Sequence, residues 1–320
     1  MKVLANDGIS QSGVDALTEG GFEVVTTKVA QEQLVHFINE KGIVALLVRS
    51  ATQVKKDVID ACPGLRLIGR GGVGMDNIDV ALAKEKGIHV INTPAASSQS
   101  VAELVFAHLL GGVRFLHNAN RDMPLDGDTK FKQLKKSYAA GIELRGKTLG
   151  IIGFGRIGRA TAKIALGMGM KVAFHDPFLD SIPLEVDFYN SQKISFLLES
   201  SSKHELLQSS DFITLHTPAQ NKYVLGKDDF DLMKDGVGII NLARGGVLDE
   251  VALVAALDSG KVSFAGLDVF ESEPRPEIKI LMHPKISLTP HIGASTKEAQ
   301  ERIGLELADQ IIALLGQPEV

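Results

Sequence analysis

The chain has 320 residues, of which 44% are hydrophobic and 23% charged, and it carries a net charge of −5. This composition excludes a largely disordered protein, and the length predicts two domains because hydrophobic cores stop growing at about 250 to 300 residues. Negative net charge without a cluster of Lys and Arg argues against nucleic acid as a partner. The single cysteine, Cys62, excludes an internal disulfide and is typical of a reducing compartment.

The N-terminal ten residues, MKVLANDGIS, have the pattern of a strand and a turn and lack the apolar centre of a signal peptide. No segment approaches the roughly 20 apolar residues that cross a bilayer. The longest candidate is interrupted by His108, Arg114 and His117. We therefore expect a cytoplasmic protein without a membrane partner.

Short β-rich runs alternate with helical patterns over the first 95 residues. The predicted strands are 2–5, 23–26, 43–48, 65–69 and 89–91, and the predicted helices are 10–19, 31–39, 57–62 and 80–85. Alternation of this kind indicates a parallel sheet with crossover helices.

A long helix is predicted over 101–118, after the hydroxyl-rich segment 97–100, and the polar stretch 121–146 has no clear periodicity. A second alternating series begins at Lys147, so pattern alone places the domain boundary near residue 146. A closing helix is predicted over 297–315. The fold class is therefore α/β, with two open parallel sheets.

The segment from Gly153 to Gly158 has the spacing G-x-G-x-x-G between an apolar strand and a helix. Gly153 permits the tight turn, Gly155 lets backbone N–H groups approach a pyrophosphate, and Gly158 lets helix pack on strand. The helix N-terminus, which begins with Arg156 and Ile157, favours negative charge. A glycine turn that binds no ligand is the alternative.

Asp176 ends the next predicted strand, eighteen residues after Gly158. A carboxylate there would accept hydrogen bonds from a ribose 2′-hydroxyl and would repel a 2′-phosphate. The sequence therefore predicts NAD as cofactor in preference to NADP.

Three polar residues of the second sheet fall where predicted strands end in loops, the edge at which such sheets bind ligands. Arg244 could hold a carboxylate, and His291 could exchange a proton near neutral pH. Glu273, in a proline-bounded loop, would stabilise the protonated imidazole if it reached it. Arg244 and His291 each have a simpler reading, as a surface arginine and as one non-catalytic histidine among nine, and the spacing does not show that Glu273 and His291 meet.

The glycine-rich segment 69–74 is another candidate, because successive backbone N–H groups can bind a carboxylate. A tight turn without a ligand explains it equally well. No His, Cys or acidic residues fall at the spacing of a metal site, so no metal is expected.

Eight ordered segments of the chain resemble the D-isomer-specific 2-hydroxyacid dehydrogenase family over nearly the whole length. They are LVRSATQV (47–54), GRGGVGMDNID (69–79), NTP with SVAELV (92–105), GIIGFGRIG (150–158), HTP (216–218), NLARGGVLDE (241–250), GLDVFESEP (266–274) and TPHIGAST (289–296).

The resemblance implies that His291 takes the hydroxyl proton, that Glu273 supports it, and that Arg244 binds the carboxylate during hydride transfer. It implies a substrate domain of residues 1–96 with 291–320, flavodoxin-like, into which a Rossmann domain of residues 97–290 is inserted. It also implies two sets of binding residues. The substrate contacts are Arg49, Ser50, Gly72 and Val73, and the further NAD contacts are Thr217, Pro218, Ala243, Asp268 and Gly293.

Within the family, the resemblance is strongest to the branch that oxidises D-3-phosphoglycerate, the first step of serine biosynthesis. It implies a phosphorylated 2-hydroxy acid as partner, with Lys135 and Lys136 placed where relatives present basic residues from a partner subunit. It also implies a homodimer or higher homo-oligomer through the cofactor domain, without the C-terminal regulatory domain of longer relatives.

Two alternative functions remain open at this stage. A glyoxylate or hydroxypyruvate reductase would use the same three polar residues without a phosphate site. An NADH-sensing interaction protein would keep the cofactor turn without turnover.

Overall fold

The strands and helices of the computed structural model, which describes residues 1–316, are numbered here in chain order. The strands are β1 (Lys2–Ala5), β2 (Glu23–Val25), β3 (Ile43–Val48), β4 (Leu67–Arg70), β5 (His89–Asn92), β6 (Thr148–Ile152), β7 (Lys171–His175), β8 (Ser181–Asp187), β9 (Lys193–Glu199), β10 (Phe212–Leu215), β11 (Val237–Asn241), β12 (Val262–Leu267) and β13 (Ile286–Leu288). The helices are α1 (Gln11–Glu19), α2 (Leu34–Lys41), α3 (Lys56–Ala61), α4 (Val80–Glu85), α5 (Ser98–Val113), α6 (Leu116–Asp126), α7 (Phe131–Ser137), α8 (Arg156–Gly167), α9 (Lys203–Ser209), α10 (Lys227–Leu232), α11 (Glu250–Ser259), α12 (Ile278–Leu281) and α13 (Lys297–Leu315).

The chain divides into two units, one formed by residues 1–100 with the segment from 294 onward, the other by residues 101–293. Each unit contains its own parallel sheet, which confirms the predicted α/β fold class. That the second unit binds the cofactor and the first unit binds the substrate stays a prediction.

The first unit has five parallel strands in the order β2-β1-β3-β4-β5, the doubly wound order of flavodoxin. The closing helix α13 packs on α1, where Gly13 and Gly304 let the two backbones approach closely. Hydrophobic pattern alone did not indicate where this helix packs.

The second unit has six parallel strands in the order β13-β12-β11-β10-β6-β7. Apolar side chains cover both faces of this sheet and form two cores, as its fully buried central strands require. The strand order reverses between β6 and β10, and ligands bind at such a reversal in open α/β sheets.

An antiparallel ribbon of β8 and β9 lies beyond β7, in a stretch for which the sequence indicated no strands. Leu184 and Val186 are buried on one face of the ribbon, whereas nearly all of β9 is exposed. Apolar residues on both faces of β9, such as Phe196 and Leu197, obscure the alternation that would have identified a strand.

The predicted single helix over 101–118 is wrong, because α5 ends at Val113 and α6 begins at Leu116. Phe115 between them has a left-handed backbone with φ of 56°. Its ring lies 5.8 Å from that of Tyr138, centroid to centroid, so the turn is held by a contact distant in sequence. The stretch that showed no periodicity contains the end of α6 and all of α7.

Helix α5 packs against β12, and the second unit begins at residue 101. The domain boundary that the sequence pattern predicted near residue 146 is therefore wrong. A Cβ built at Gly112 would lie 2.1 Å from the ring of Phe264, and one at Gly266 would lie 2.6 Å from Cβ of His108. Two glycines, one on each element, therefore permit this close packing.

The contact of Gly112 with Phe264 predicts that Gly112→Ala destabilises the protein by about 1 to 3 kcal/mol, because the ring must move in a filled core. Gly111→Ala is the matched control, since a Cβ at that position meets no atom within 4 Å. It should stabilise the helix by up to about 1 kcal/mol. Urea unfolding measures both, and equal stability of the two variants would contradict this packing.

Candidate functional site

The polar groups predicted to act in the second unit all follow the carboxyl ends of its parallel strands. The glycine turn follows β6, Asp176 follows β7, Thr217 follows β10, Arg244 follows β11, Asp268 and Glu273 follow β12, and His291 follows β13. Since neighbouring parallel strands end at the same edge, one edge of the sheet carries all of these groups.

The glycine turn has the tight geometry that its three glycines predict. Gly153 has a φ of +89°, and a Cβ there would lie 2.6 Å from the carbonyl oxygen of His216. At Gly158 a Cβ would lie 2.3 Å from the carbonyl oxygen of Gly153, so helix α8 packs directly on the turn. Gly155 differs from both, because a Cβ there would meet no atom within 4 Å.

The open space beside Gly155 is a cradle at the N-terminus of α8, where backbone N–H groups favour an anion. The hydroxyl oxygen of Thr217 is buried and has no hydrogen-bond partner among the described residues. An unpaired buried polar atom next to Gly153 of the same turn indicates a ligand that supplies the missing partner. The residues present therefore fit the pyrophosphate of a dinucleotide.

Asp176 has a structural role in addition to the predicted contact with ribose. One carboxylate oxygen accepts the Phe154 N–H at 2.8 Å, and the other accepts the Phe178 N–H at 3.0 Å. Each oxygen keeps a lone pair for a ribose hydroxyl. The carboxylate thus holds the glycine turn, and its role in selecting NAD over NADP stays a prediction.

His216, directly before Thr217, is half-buried against the turn, and burial of its ring lowers its pKa to about 3. Its Nε2 lies 3.1 Å from the hydroxyl of Thr214 and 3.3 Å from that of Thr161. The imidazole is therefore neutral and adds no positive charge near the pyrophosphate cradle. The sequence marked this residue only as the first letter of a family motif.

His291 and Glu273 meet, which spacing alone could not show. Nδ1 of His291 lies 2.8 Å from Oε2 of Glu273, and Oε1 of Glu273 accepts the Phe270 N–H at 3.0 Å. Burial favours the neutral form of Glu273, but the bonds from His291 and Phe270 and the charge of Arg244 hold its pKa below the ordinary value. The carboxylate is charged at neutral pH, and its charge is lost only as pH falls through that lowered pKa.

A charged Glu273 accepts a hydrogen from Nδ1, so the neutral imidazole carries its proton there. None of the described residues hydrogen-bonds Nε2 of His291. This nitrogen is therefore free to accept a proton from a substrate. His291 itself has a φ of +53°, an unusual conformation for a residue other than glycine.

Arg244 lies in a turn that packs against the loop of Glu273. A Cβ at Gly245 would lie 1.9 Å from the carbonyl oxygen of Phe270, so only glycine allows this approach. Asn241 holds the same turn by donating to the carbonyl of Arg244 at 3.0 Å and accepting from the N–H of Ala243. Asn241 is a positioning residue that the sequence did not single out.

Asp268 and Gly293, both predicted as cofactor contacts, are bonded to each other. Oδ2 of Asp268 accepts the Gly293 N–H at 2.8 Å, and Oδ1 accepts the Ile292 N–H at 2.8 Å. Asp268 is buried at 1% exposure. Its carboxylate therefore holds the backbone directly after His291.

An open cavity of about 390 Å³ adjoins Glu273 and His291. Prolines, leucines and Phe270 form most of its wall, so the pair borders apolar surface. No group of three metal-ligating side chains occurs within residues 1–316. Nor does any helix in that range have the length and apolarity to cross a membrane.

The predicted substrate residues of the first unit lie at the ends of β3 and β4. Arg49 is half-buried, and its backbone N–H donates to the carboxylate of Asp7 at 2.7 Å. Burial lowers the pKa of its guanidinium, which the charge of Asp7 partly offsets. Ser50 and Val73 are exposed, whereas the Gly72 N–H already donates to the Arg70 carbonyl at 2.9 Å.

The open space beside Gly155 predicts that Gly155→Ala weakens NADH binding at least about tenfold, because a methyl group would occupy the approach of the pyrophosphate. Stability should change by less than about 0.5 kcal/mol, since the new Cβ contacts nothing. Fluorescence titration with NADH measures the affinity. Gly167→Ala, at the far end of α8 and equally open, is the control, and unchanged affinity in Gly155→Ala would contradict the assignment.

Residues 106–293 match the family model described as "D-isomer specific 2-hydroxyacid dehydrogenase, NAD binding domain". The chain is 42% identical to a hydroxypyruvate reductase of Thermotoga maritima, over 98% of both chains. It is 41% identical to a D-3-phosphoglycerate dehydrogenase of Methanocaldococcus jannaschii, over 98% of this chain and 57% of that protein.

Among solved structures, D-lactate dehydrogenase of Aquifex aeolicus, complexed with NAD and lactic acid, superposes with a TM-score of 0.74. It is 31% identical, and the match covers 98% of this chain and 95% of that one. The chain spans just over half the length of the phosphoglycerate dehydrogenases that it matches. With the matched NAD-binding model and the fitted cradle, the cofactor is NAD, and the chain belongs to the D-isomer specific 2-hydroxyacid dehydrogenase family.

Proposed function

We propose that the protein oxidises D-3-phosphoglycerate to 3-phosphohydroxypyruvate with NAD. The observation that carries the chemistry is the 2.8 Å contact of His291 with Glu273, beside Arg244, at the edge of the sheet that holds the cofactor turn. A proton acceptor, a carboxylate that supports it and a guanidinium are the groups that oxidation of a 2-hydroxy acid requires.

In this reaction His291 Nε2 accepts the proton of the substrate hydroxyl. Glu273 stabilises the imidazolium that forms, and both of its oxygens are already oriented by His291 and Phe270. Arg244 binds the substrate carboxylate as a planar fork. The Gly153–Gly158 turn and Asp176 would hold NAD, which would supply the hydride acceptor.

Relatives named D-3-phosphoglycerate dehydrogenase, at 39 to 41% identity in three prokaryotes, support the phosphorylated substrate. Arg49 would bind the substrate, and the exposed Lys135 and Lys136 of α7 would contribute cations to a phosphate. The substrate-binding roles of Ser50, Gly72 and Val73 are part of the same proposal.

A hydroxypyruvate or glyoxylate reductase is the second candidate. The Thermotoga hydroxypyruvate reductase matches 98% of its own length at 42% identity, which favours this reading. Both candidates use Arg244, Glu273 and His291, so they differ only in whether the substrate carries a phosphate.

We also propose a homodimer formed through the second unit. Helices α6 and α7 expose apolar side chains, including Leu116 at 64%, Leu125 at 79% and Phe131 at 57%. Large exposed apolar groups on neighbouring helices are typical of a protein interface.

His291→Ala should lower kcat by about 10²- to 10⁴-fold, because the variant has no group to accept the substrate proton. Glu273→Gln should lower it less, since His291 remains. Steady-state kinetics at saturating cofactor measures both. His36→Ala is the control, because the side chain of His36 is 83% exposed in the first unit. Binding of NADH without turnover on any 2-oxo acid, in the wild-type protein, would favour an NADH sensor.

Substrate profiling separates the two enzyme candidates. We expect faster NADH oxidation with 3-phosphohydroxypyruvate than with hydroxypyruvate or glyoxylate. Arg49→Ala should then raise KM chiefly for the phosphorylated substrate, since a lost ground-state contact appears in KM. A clear preference of the wild-type protein for an unphosphorylated acid would replace phosphoglycerate dehydrogenase with the reductase.

A further inference from the structure

A buried imidazole that takes no part in the proposed chemistry lies behind the loop of His291. His108, on α5, is 3% exposed. Its Nδ1 lies 2.9 Å from the hydroxyl of Ser287, and its Nε2 lies 3.0 Å from the hydroxyl of Thr289. Ser287 belongs to β13 and Thr289 follows it, two residues before His291.

The hydrogen-bond donors among His108, Thr289 and Asp268 can be assigned. The Thr289 hydroxyl donates its single hydrogen to Oδ1 of Asp268 at 2.6 Å, so toward His108 it can only accept. His108 therefore carries its proton on Nε2, and its Nδ1 accepts from Ser287. Burial lowers the pKa of His108, with partial compensation by Asp268, which agrees with this neutral form.

Asp268 connects the Thr289 hydroxyl to the backbone that follows His291. The same Oδ1 that accepts from Thr289 accepts the Ile292 N–H at 2.8 Å, and Oδ2 accepts the Gly293 N–H at 2.8 Å. His291, with its φ of +53°, is thus held between Thr289 on one side and two clamped N–H groups on the other. A strained backbone of this kind persists only where its surroundings over-determine it.

We propose that His108 is a positioning residue for His291, acting through the Thr289 hydroxyl and the Asp268 carboxylate. The inference rests on the proposed role of His291. Loss of the Nε2–H donor would free the Thr289 hydroxyl to rotate and Asp268 to shift. His291 would then lose alignment with the substrate hydroxyl while remaining bonded to Glu273.

The helix does not depend on this imidazole for its attachment. Gly112 packs on Phe264 one turn further along α5, and this contact does not involve His108. His108→Gln can still donate from its amide to Thr289, whereas His108→Leu cannot. Comparison of these two variants therefore separates the effect of the hydrogen bond to Thr289 from the effect of filling the core at position 108.

The experiment compares kcat of His108→Leu, His108→Gln, Thr289→Val and Thr289→Ser at saturating cofactor and 2-oxo acid. We expect losses of about 10- to 100-fold in the Leu and Val variants, because small misplacement of a catalytic group costs that much. The Gln and Ser variants should recover most of the rate. Ser287→Ala, which leaves the Thr289 arm intact, should stay within about threefold of wild type.

A double variant tests whether the effect passes through His291. Adding His108→Leu to His291→Ala should cause no further loss of rate, since groups that act as a unit are not additive. An equal loss in both backgrounds, or the same loss in Ser287→Ala, would overturn the positioning role. If His108→Leu fails to fold, Thr289→Val against Thr289→Ser decides the question.

The outcomes also separate the inference from the function on which it rests. If His291→Ala retains wild-type kcat, the proposed function fails, and the positioning role fails with it. If His291→Ala is strongly impaired while His108→Leu and Thr289→Val are not, the function stands and only the role of His108 is overturned.

Discussion

Parallel pairing of strands β6, β7 and β10–β13 is the constraint on which the rest of the second unit depends. Because all six strands run in one direction, every loop that follows a strand emerges at one edge. Residues more than a hundred positions apart in sequence, such as Gly155 and His291, are brought to that edge. The reversal of strand order between β6 and β10 then opens the place where a dinucleotide can lie.

A second requirement at this edge is that buried polar groups be bonded. Asp268 is almost fully buried and accepts three hydrogen bonds, from one side chain and two backbone N–H groups. Glu273 is likewise oriented at both oxygens. The bonds to Asp268 compensate the cost of burying its carboxylate, and together with those of Glu273 they fix the conformation of the loop that carries His291. The same hydrogen bonds thus stabilise the fold and position His291.

Much of the fold and part of the site could be predicted because the signals are local. Alternating strand and helix patterns predicted two parallel sheets, and the spacing of Gly153, Gly155 and Gly158 after a strand predicted the turn. The failures fall where distant contacts decide the structure. At the break between α5 and α6, the ring of Phe115 contacts that of Tyr138, 23 residues later in the chain. The ribbon of β8 and β9 buries only one of its faces, although both faces carry apolar residues.

The sequence by itself determined the fold class, the dinucleotide turn and the acidic residue that favours NAD, because backbone sterics, hydrophobic period and charge act over a few residues. Only the tertiary structure decided that Glu273 reaches His291, that Asp268 clamps the backbone after it, and that His108 stands behind both. Those contacts join α5, β12 and β13, and hydrogen bonds between elements leave no periodic signal in a single sequence. The physical reason is that the order of strands in the sheet, not their order in the chain, sets which side chains meet.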